Sequence, residues 1–337
     1  MDAVCNKYSL VDIGAVLIVS VVIPVHDTAQ FVAEAVASAL AVNYENREII
    51  LVDDHSRDES RNICTDLASK NPGVVRSFSV PGDRSLGPGV ARNVGVRQAH
   101  GELVAFLDSD DLYYPNRFDR DVELFRTNKE LDAVFSACEV SFRTFAEEKQ
   151  WEGHKTVYPE ESSVNNVLRD SVAANGSLWH TNAITIRRIF FNELGGFDPA
   201  LRLHEDVDLW LRIAFCGYVV PGELSVPVAC YRRHGSHTYD PADVILNNYR
   251  NTMILLKFLR WAQGQKHCSR RRNRLIDEFR GSAEARLFYS LSLLRKAGCW
   301  MEAQKLLTFG ARCLPGLLMR RQYWANVYRL MTWQYMR

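Results

Sequence analysis

Three groups of acidic residues in the 337-residue chain stand where carboxylates could bind a cation or accept a proton. In the first group, Asp108 and Asp110 stand two residues apart, directly after the apolar segment Leu103–Leu107. Because residues i and i+2 of an extended backbone project to the same side, both carboxylates can face one site. Mg²⁺ binds one or two protein carboxylates together with substrate phosphate oxygens, and this pair matches that requirement. The structural alternative is a polar turn, in which Asp and Ser are common.

The second group is Asp53 and Asp54, which follow the apolar segment Ile49–Val52. A carboxylate at this position could accept hydrogen bonds from a nucleobase N–H or from ribose hydroxyls. The structural alternative is that Asp54 or Ser56 caps the helix predicted to follow.

The third group, Glu205 and Asp206, begins a segment with the spacing of an amphipathic helix. Asp206 and Trp210 are four positions apart and therefore share one helix face. If that face packs against the sheet, Asp206 stands at the start of the helix and is directed towards the cleft. Acidic residues in a first helical turn also complement the helix dipole, which is the structural alternative for this group.

Strand and helix patterns alternate through the first 111 residues, and these elements must position the acidic groups. Short apolar segments rich in β-branched residues predict strands at 17–24, 48–52, 74–80 and 103–107. Apolar residues at helical spacing predict helices at 28–41, 57–70 and 89–99. This order predicts an α/β fold, with a mostly parallel central sheet flanked by helices. Ligands of such sheets bind beyond the carboxyl ends of the strands, where the acidic residues stand.

What the sequence lacks excludes several classes of protein. The first predicted strand is followed by Pro24–Asp27, without the glycines of G-x-G-x-x-G, which argues against a nicotinamide dehydrogenase. The eight cysteines form no C-x-x-C pair, which argues against a disulfide scaffold or a zinc ribbon and fits a reducing compartment. The first twelve residues do not resemble a secretory signal, and no run of eighteen apolar residues occurs. We therefore expect a cytoplasmic location and no membrane-spanning helix.

The formal net charge of +1 conceals an uneven distribution of charge along the chain. Residues 250–337 contain 18 basic and 4 acidic residues, a formal charge of +14, so the first 249 residues carry −13. Such opposed halves predict two surfaces with different partners, and the carboxylate-rich half is unsuited to binding nucleic acid.

The basic region after about residue 239 has helical spacing to its end, and Gly281–Pro315 predicts two helices with a break at 297–299. Two interpretations stay open for it. The basic and aromatic residues suit peripheral contact with an anionic membrane on its inner face, where each basic residue contributes about 1 kcal/mol. Alternatively, the helices form a bundle whose exposed arginines serve solubility.

Six segments, in order and with their spacing, resemble the signatures of the family 2 glycosyltransferases. They are PVHD at 24–27, ILVDDHSRD at 50–58, GPGVARNVG at 87–95, GELVAFLDSDD at 101–111, LGGFD at 194–198 and EDVDLWLR at 205–212. Each segment alone is a weak signal, but all six together are specific. The resemblance covers about residues 17–232, two-thirds of the chain.

The resemblance implies a GT-A fold, a Rossmann-like α/β domain over residues 17–235, with a nucleotide-sugar half at 17–111 and an acceptor half at 112–235. A leader at 1–16 would precede this domain, and a basic α-helical C-terminal region at 236–337 would follow it.

The resemblance also implies roles for individual residues in binding the nucleotide-sugar. The residues that match the family's nucleotide-sugar site are Pro24, His26, Asp53, Asp54, Asp108 and Asp110. Pro24 and His26 would lie beside the base, and Asp53 or Asp54 would hydrogen-bond it. Asp108 and Asp110 would hold the ribose and a divalent metal, Mg²⁺ or Mn²⁺, with Asp110 as the metal ligand. Arg92 and Asn93 match a supporting helix under the nucleotide.

On the acceptor side, Asp206 matches the general base, and Glu205 and Trp210 match residues that shape the acceptor pocket. Trp179, outside the six segments, is a further candidate for that pocket, with a buried core position as its alternative. The basic segment from Arg232 to His237, with its glycine, suggests a loop that closes over a diphosphate.

The expected reaction is transfer of one sugar, with inversion, from a nucleotide-sugar to a hydroxyl of a polysaccharide or a lipid-linked saccharide. UDP is the default nucleotide in the family, and the absence of its Gln-x-x-Arg-Trp motif favours single additions over processive synthesis. Two alternatives stay open: a nucleotidyltransferase, which also uses acidic metal ligands on an α/β sheet, and a silent protein that retains the fold for binding only.

Overall fold

The computed structural model describes residues 16–142, 179–233, 244–265 and 270–334. They form two compact units, the first containing the described residues up to 233 and the second those from 244 onwards. The predicted leader lies outside the described residues except for Val16, and the predicted boundary at 235–236 also falls outside them. These two limits therefore stay predictions.

The first unit contains ten described strands and six described α-helices. The strands are β1 (Val19–Val25), β2 (Arg47–Asp53), β3 (Val75–Ser79), β4 (Leu103–Phe106), β5 (Leu112–Tyr113), β6 (Ala133–Phe135), β7 (Cys138–Phe142), β8 (Ile184–Arg187), β9 (Val219–Pro221) and β10 (Ala229–Arg233). The helices are α1 (Val32–Leu40), α2 (Ser60–Lys70), α3 (Pro88–Gln98), α4 (Asp119–Thr127), α5 (Arg188–Glu193) and α6 (Glu205–Cys216). The predicted alternation of strands and helices up to residue 107 is confirmed.

Seven of the strands form one sheet in the order β3-β2-β1-β4-β8-β6-β9. The four strands from β3 to β4 are parallel, and β8 runs antiparallel to both of its neighbours. A smaller sheet has the order β5-β10-β7. The predicted mostly parallel sheet is confirmed, and helices α1 to α3 supply the crossovers that parallel strands require.

Apolar side chains on both faces explain why β1 lies inside the sheet, since all seven of its residues are buried. Pro24 is tolerated there because β4 pairs only with Val19–Val22, so the missing N–H of Pro24 falls beyond that ladder. Helix α3 approaches the sheet closely at Gly95, where a Cβ would collide with the Val22 side chain. Because β1 pairs in parallel with both β2 and β4, the carboxyl ends of these three strands lie side by side at one edge of the sheet.

The second unit is helical in its described residues. Its α-helices are α7 (Val244–Gln263), α8 (Arg270–Lys296), α9 (Trp300–Cys313) and α10 (Arg321–Gln334). The predicted break at 297–299 is confirmed, and Gly298 adopts a φ of +73° after the end of α8. Leu256, Leu287 and Leu306 are among its fully buried residues. In the described part of the chain, no helix is both long and apolar enough to cross a bilayer.

Candidate functional site

The carboxylate of Asp54, directly after β2, is buried and accepts hydrogen bonds from one short loop. Its partners are the hydroxyl of Ser85 at 2.8 Å, the backbone N–H of Leu86 at 3.0 Å and the backbone N–H of Gly87 at 2.7 Å. Gly87 has a φ of +98°, a conformation that favours glycine, and α3 begins at the next residue. Asp54 therefore fixes the entry of α3. It does not cap α2, where the Asp58 carboxylate accepts the N–H of Ser60.

The other residues predicted beside the base are placed at the same sheet edge. Asp53 is the last residue of β2 and is buried, and its carboxylate accepts the N–H of Ser56 at 3.3 Å. Pro24 is buried within β1. The imidazole of His26 is the exposed member of this set, and its Nδ1 lies 2.7 Å from the carbonyl oxygen of Asp54.

Three aspartates, Asp108, Asp110 and Asp111, lie close together in the loop after β4 and differ in exposure. Asp108 and Asp110 are partly exposed, whereas Asp111 is fully buried. The carboxylate of Asp111 accepts the Asn182 side-chain amide at 2.6 Å and the backbone N–H of Arg232 at 2.8 Å. Burial raises the pKa of Asp111 well above its usual value, and the charges of Asp110 and Asp108 raise it further. The loop therefore concentrates negative charge that a cation would stabilise.

Arg92 on α3 joins this loop to the start of α6. Its side chain is buried, and its guanidinium donates to Asp108 Oδ1 at 2.5 Å and to Glu205 Oε1 at 2.8 Å. The guanidinium carbon also lies 5.3 Å from the centre of the Phe197 ring. Gly89 makes this approach possible, because a Cβ there would lie 2.9 Å from the Glu205 side chain.

The predicted base and its neighbour begin helix α6. Glu205 is buried, and its pKa is raised to about 7, because burial and the charge of Asp206 raise it by more than Arg92 lowers it. Asp206 is partly exposed, and its Oδ1 accepts its neighbour Val207's N–H at 2.7 Å. The charges of Asp108, Asp206 and Arg92 all act on His180, whose pKa is lowered chiefly by burial. The structure thus brings together carboxylates that are about a hundred residues apart in the chain.

The two indoles predicted for the acceptor pocket lie in the core. Trp179 is fully buried and stacks on Phe135 with ring centres 5.2 Å apart. Trp210 is also fully buried, 6.4 Å from Trp179 and 6.0 Å from Phe197. Neither indole has an exposed surface in the described structure, so the acceptor-pocket role stays a prediction for both.

In the basic segment predicted to form a loop, Arg233 and Arg232 belong to strand β10 instead, and the residue that contacts the site is Arg232. Its guanidinium donates to the carbonyl oxygen of Asp110 and to the Glu34 carboxylate, both at 2.5 Å, and lies 5.2 Å from the Phe31 ring centre. The histidines of the hypothesised closing loop, His234 and His237, lie outside the described residues.

Sequence reasoning missed the central position of two residues, Arg92 and Asn182. Arg92 and Asn93 were expected only to support the nucleotide, yet Arg92 contacts carboxylates on both sides of the site. Asn182 accepts the N–H of Asp108 at 3.0 Å while it donates to Asp111, and no motif contains it. The GPGVARNVG segment was the available signal for Arg92, but its partners depend on the fold.

Carboxylates that lie close together do not by themselves form a metal site. Within the described residues, no group of three or more His, Cys, Asp or Glu side chains could hold a metal ion. A cation at Asp110 would therefore need ligands from the substrate, as Mg²⁺ commonly takes from phosphates.

Solved structures first define the class of fold. TarS of S. aureus in complex with UDP-GlcNAc is similar with a TM-score of 0.62 and 16% identity, over 89% of this chain and 82% of TarS 1–349. The mannosyltransferase PcManGT of Pyrobaculum calidifontis, in complex with GDP-Man and Mn²⁺, gives a TM-score of 0.54 and 18% identity, over 95% of this chain and 86% of PcManGT. The chain has the GT-A fold of these glycosyltransferases, as its sequence predicted.

The sequence comparisons then give the family. The model of glycosyl transferase family 2 matches residues 20–189, half of the chain. The chain belongs to this family.

Relatives of the chain carry the same class of name. An uncharacterized glycosyltransferase of Rickettsia felis is 30% identical over 209 residues, which are 58% of this chain and 31% of the relative. The succinoglycan biosynthesis protein ExoO of Rhizobium meliloti is 30% identical over 223 residues, 65% of this chain and 62% of ExoO. The chain matches between about a third and three fifths of the length of these relatives.

Proposed function

We propose that the protein is an inverting, metal-dependent glycosyltransferase that moves one sugar from a nucleotide-sugar, with UDP as the expected nucleotide, to an acceptor hydroxyl. The observation that carries this proposal is the meeting of Asp108 and Glu205 on the guanidinium of Arg92, with Asp110 and Asp206 directly beside them. This arrangement sets a donor side and an acceptor side next to each other at one sheet edge.

The donor side is the edge formed by the ends of β1, β2 and β4. His26 presents an exposed ring there, and Asp53 and Asp54 lie behind it. Since the carboxylate of Asp54 already accepts three hydrogen bonds from the 85–87 loop, its contribution to nucleotide-sugar binding would be to shape the site. The structures of TarS with UDP-GlcNAc and of PcManGT with GDP-Man support a nucleotide-sugar donor.

The residues present fit a divalent cation such as Mg²⁺ or Mn²⁺. Asp110 is partly exposed beside Asp108, and the pKa of Asp111 is raised chiefly by burial and further by the charges of Asp110 and Asp108, so negative charge is concentrated at this loop. Asp110 would hold the cation, with Asp108 directed to the ribose. A bound cation would supply charge stabilisation to the leaving diphosphate. The Mn²⁺ in the PcManGT structure supports the same requirement.

The acceptor side is the start of α6. Asp206 is partly exposed, so its carboxylate can take the proton of an acceptor hydroxyl as that oxygen bonds to the anomeric carbon. The bond from the anomeric carbon to the diphosphate breaks, and its electron pair leaves with the diphosphate. Attack from the face opposite the leaving group inverts the anomeric configuration, as in inverting glycosidases.

The acceptor that we propose is a growing polysaccharide or a lipid-linked saccharide, at the cytoplasmic face of the membrane. The similarity to ExoO, a succinoglycan biosynthesis protein, supports a role in polysaccharide assembly. The alternatives of a nucleotidyltransferase and a silent binding protein receive no support from the family.

Peripheral contact with an anionic membrane completes the proposal, and it rests on the second unit. Large apolar side chains are exposed there, since Met319 is 88% and Tyr328 69% exposed and Trp324 is exposed as well. Two basic residues, Arg320 and Arg321, follow Met319 directly in the sequence. Aromatic and basic residues together suit the headgroup region of anionic lipids.

Vesicle sedimentation tests this contact. We expect binding of the full chain to phosphatidylglycerol vesicles at low salt, a loss of about tenfold when Met319 and Trp324 are both replaced by Ser, and weaker binding at high salt. Tyr289→Ser, which removes an exposed aromatic residue of α8, is the matched control. Absence of binding at low salt would refute the contact.

A panel of nucleotide-sugars tests the enzymatic proposal. Thermal shift and donor hydrolysis would be measured for UDP-, GDP- and dTDP-sugars, with and without EDTA. We expect one nucleotide class to stabilise the protein only in the presence of Mg²⁺ or Mn²⁺. Equal responses with and without EDTA would refute metal dependence, and the absence of any donor response would refute the function.

A further inference from the structure

Arg92 is the cation that contacts both halves of the proposed site. It donates from one guanidinium nitrogen to Asp108, 16 residues along the chain, and from the other to Glu205, 113 residues along the chain. Two separate nitrogens of one planar group hold two carboxylates at a fixed separation, which a lysine ammonium does less well. The contact therefore sets the distance between the donor loop and the start of α6.

The surroundings of Arg92 keep it in place. The side chain is only 4% exposed, and the Phe197 ring covers it. Asn93, the next residue, donates to the carbonyl oxygen of Phe197 at 2.7 Å and accepts the Phe197 N–H at 3.0 Å. Helix α3 thus holds the segment before α6 by backbone contacts as well as by charge.

The electrostatics of the same cluster depend on this one guanidinium. Burial lowers the pKa of Arg92, but the carboxylates of Asp108 and Glu205, with Asp206, outweigh burial and raise it above its usual value. Arg92 therefore stays charged at every physiological pH. Arg92 from α3 interacts electrostatically with both Glu205 and Asp206, and His180 from the segment before β8 interacts with Asp206. Asp108, from the loop after β4, acts on Arg92 and on His180.

We infer that Arg92 is a positioning residue that couples the donor-binding loop to the start of α6, holding Glu205, and through it the adjacent Asp206, in place for proton transfer. The inference deepens the proposed function and rests on it, because it assumes that Asp206 is the base. If the inference holds, substitution of Arg92 on α3, a positioning residue, alters the pH dependence of sugar transfer.

Two substitutions separate the charge of Arg92 from its geometry. Arg92→Met removes the cation, so the pair holds a proton more tightly, and the acid limb of the kcat/KM profile should move to higher pH by about one unit. Arg92→Lys keeps the charge but cannot hold two carboxylates in the same geometry, so the limb should stay in place while kcat falls about tenfold. The donor KM should change less than kcat in both variants. Arg97→Met, at an exposed position of the same helix, is the matched control.

A purely structural Arg92 would give a different result. In that case Arg92→Met would lower the thermal midpoint, while kcat per folded molecule and the acid limb would match those of Arg97→Met, and the inference would be overturned. If Arg92→Met does not fold, Arg92→Lys is combined with Glu205→Gln. The effects on kcat should then be less than additive, because both substitutions break the same contact, whereas additive effects would contradict the coupling.

Asp206→Asn distinguishes a failure of this inference from a failure of the proposed function. Full transfer by Asp206→Asn would refute the base itself and the inference with it. Loss of transfer by Asp206→Asn, combined with an unmoved acid limb in Arg92→Met, would refute the coupling alone.

Discussion

Two acidic strand ends lie at the same edge of the sheet, and their carboxylates have different kinds of partners. After β2, the carboxylate of Asp54 is buried and accepts three hydrogen bonds from Ser85, Leu86 and Gly87. After β4, the carboxylate of Asp108 shares one guanidinium with Glu205, and further acidic residues stand beside both.

The difference shows that similar sequence at two strand ends does not imply a similar role. A buried carboxylate that already accepts hydrogen bonds from the protein stabilises the loop that donates them. Carboxylates that crowd around a single cation retain the capacity to bind a further cation or to take up a proton. We therefore propose that the end of β2 shapes the site and that the end of β4 carries the chemistry, and the following substitutions test that division.

The largest effect is expected for Asp110→Asn, at the end of β4. Loss of the carboxylate that would hold the cation should lower kcat/KM by about 10³-fold, since a Lewis acid contributes several kcal/mol. The thermal midpoint without ligand should change little, because Asp110 is partly exposed. Transfer assays with and without Mn²⁺ make the measurement, with exposed Asp83→Asn as the control. Undiminished, metal-dependent transfer would show that Asp110 is not the ligand.

The next largest effect is expected for Asp54→Asn, at the end of β2, and it concerns stability. The amide would bring N–H groups towards the donors of the 85–87 loop, so the free energy of unfolding should fall by about 2–3 kcal/mol. Urea denaturation of wild type and variant measures it. A variant that is as stable as wild type but no longer binds the nucleotide-sugar would contradict the proposal that the end of β2 only shapes the site.

The buried carboxyl group of Glu205, beside Arg92, also predicts how the free energy of unfolding depends on pH. Burial raises the pKa of Glu205 from 4.5 to about 7, so the folded protein keeps this proton to higher pH than the unfolded chain does. The contribution of Glu205 is therefore fully present below about pH 4.5 and is lost as the pH rises towards 7. Between pH 5 and pH 8, wild type should lose about 2 kcal/mol of unfolding free energy relative to Glu205→Gln. Parallel pH profiles of the two proteins would contradict this pKa.

The smallest effect is expected for Gly89→Ala, which tests how closely α3 must approach α6. The added Cβ would lie 2.9 Å from the Glu205 side chain and 3.2 Å from that of Phe197. We expect a loss of about 1–2 kcal/mol in stability and a fall in kcat of a few-fold, since the Arg92 contact must shift. Denaturation and initial-rate assays measure both. Gly281→Ala, at a helical position with open space around it, is the control.

The sequence predicted β1 to β4 and α1 to α3 because their apolar periodicity is local and regular. It did not predict the antiparallel β8 or the three-stranded sheet of β5, β10 and β7, since these strands have only two to five residues each and pair with distant segments. The acidic groups were found because they follow strands or begin a helix. The contact of Arg92 with Glu205 could not be found in this way, because it depends on how α3 packs against α6.

The most direct test of the central claim separates donor binding from transfer in Asp206→Asn. Binding of UDP, or of GDP if the panel selects it, would be measured calorimetrically with Mn²⁺, and sugar transfer would be measured on the same preparation, with Asp83→Asn as control. We predict that nucleotide affinity stays within about threefold of wild type while transfer falls by about 10²–10⁴-fold. Transfer at the wild-type rate in Asp206→Asn would contradict the assignment of the start of α6 as the acceptor side of the site.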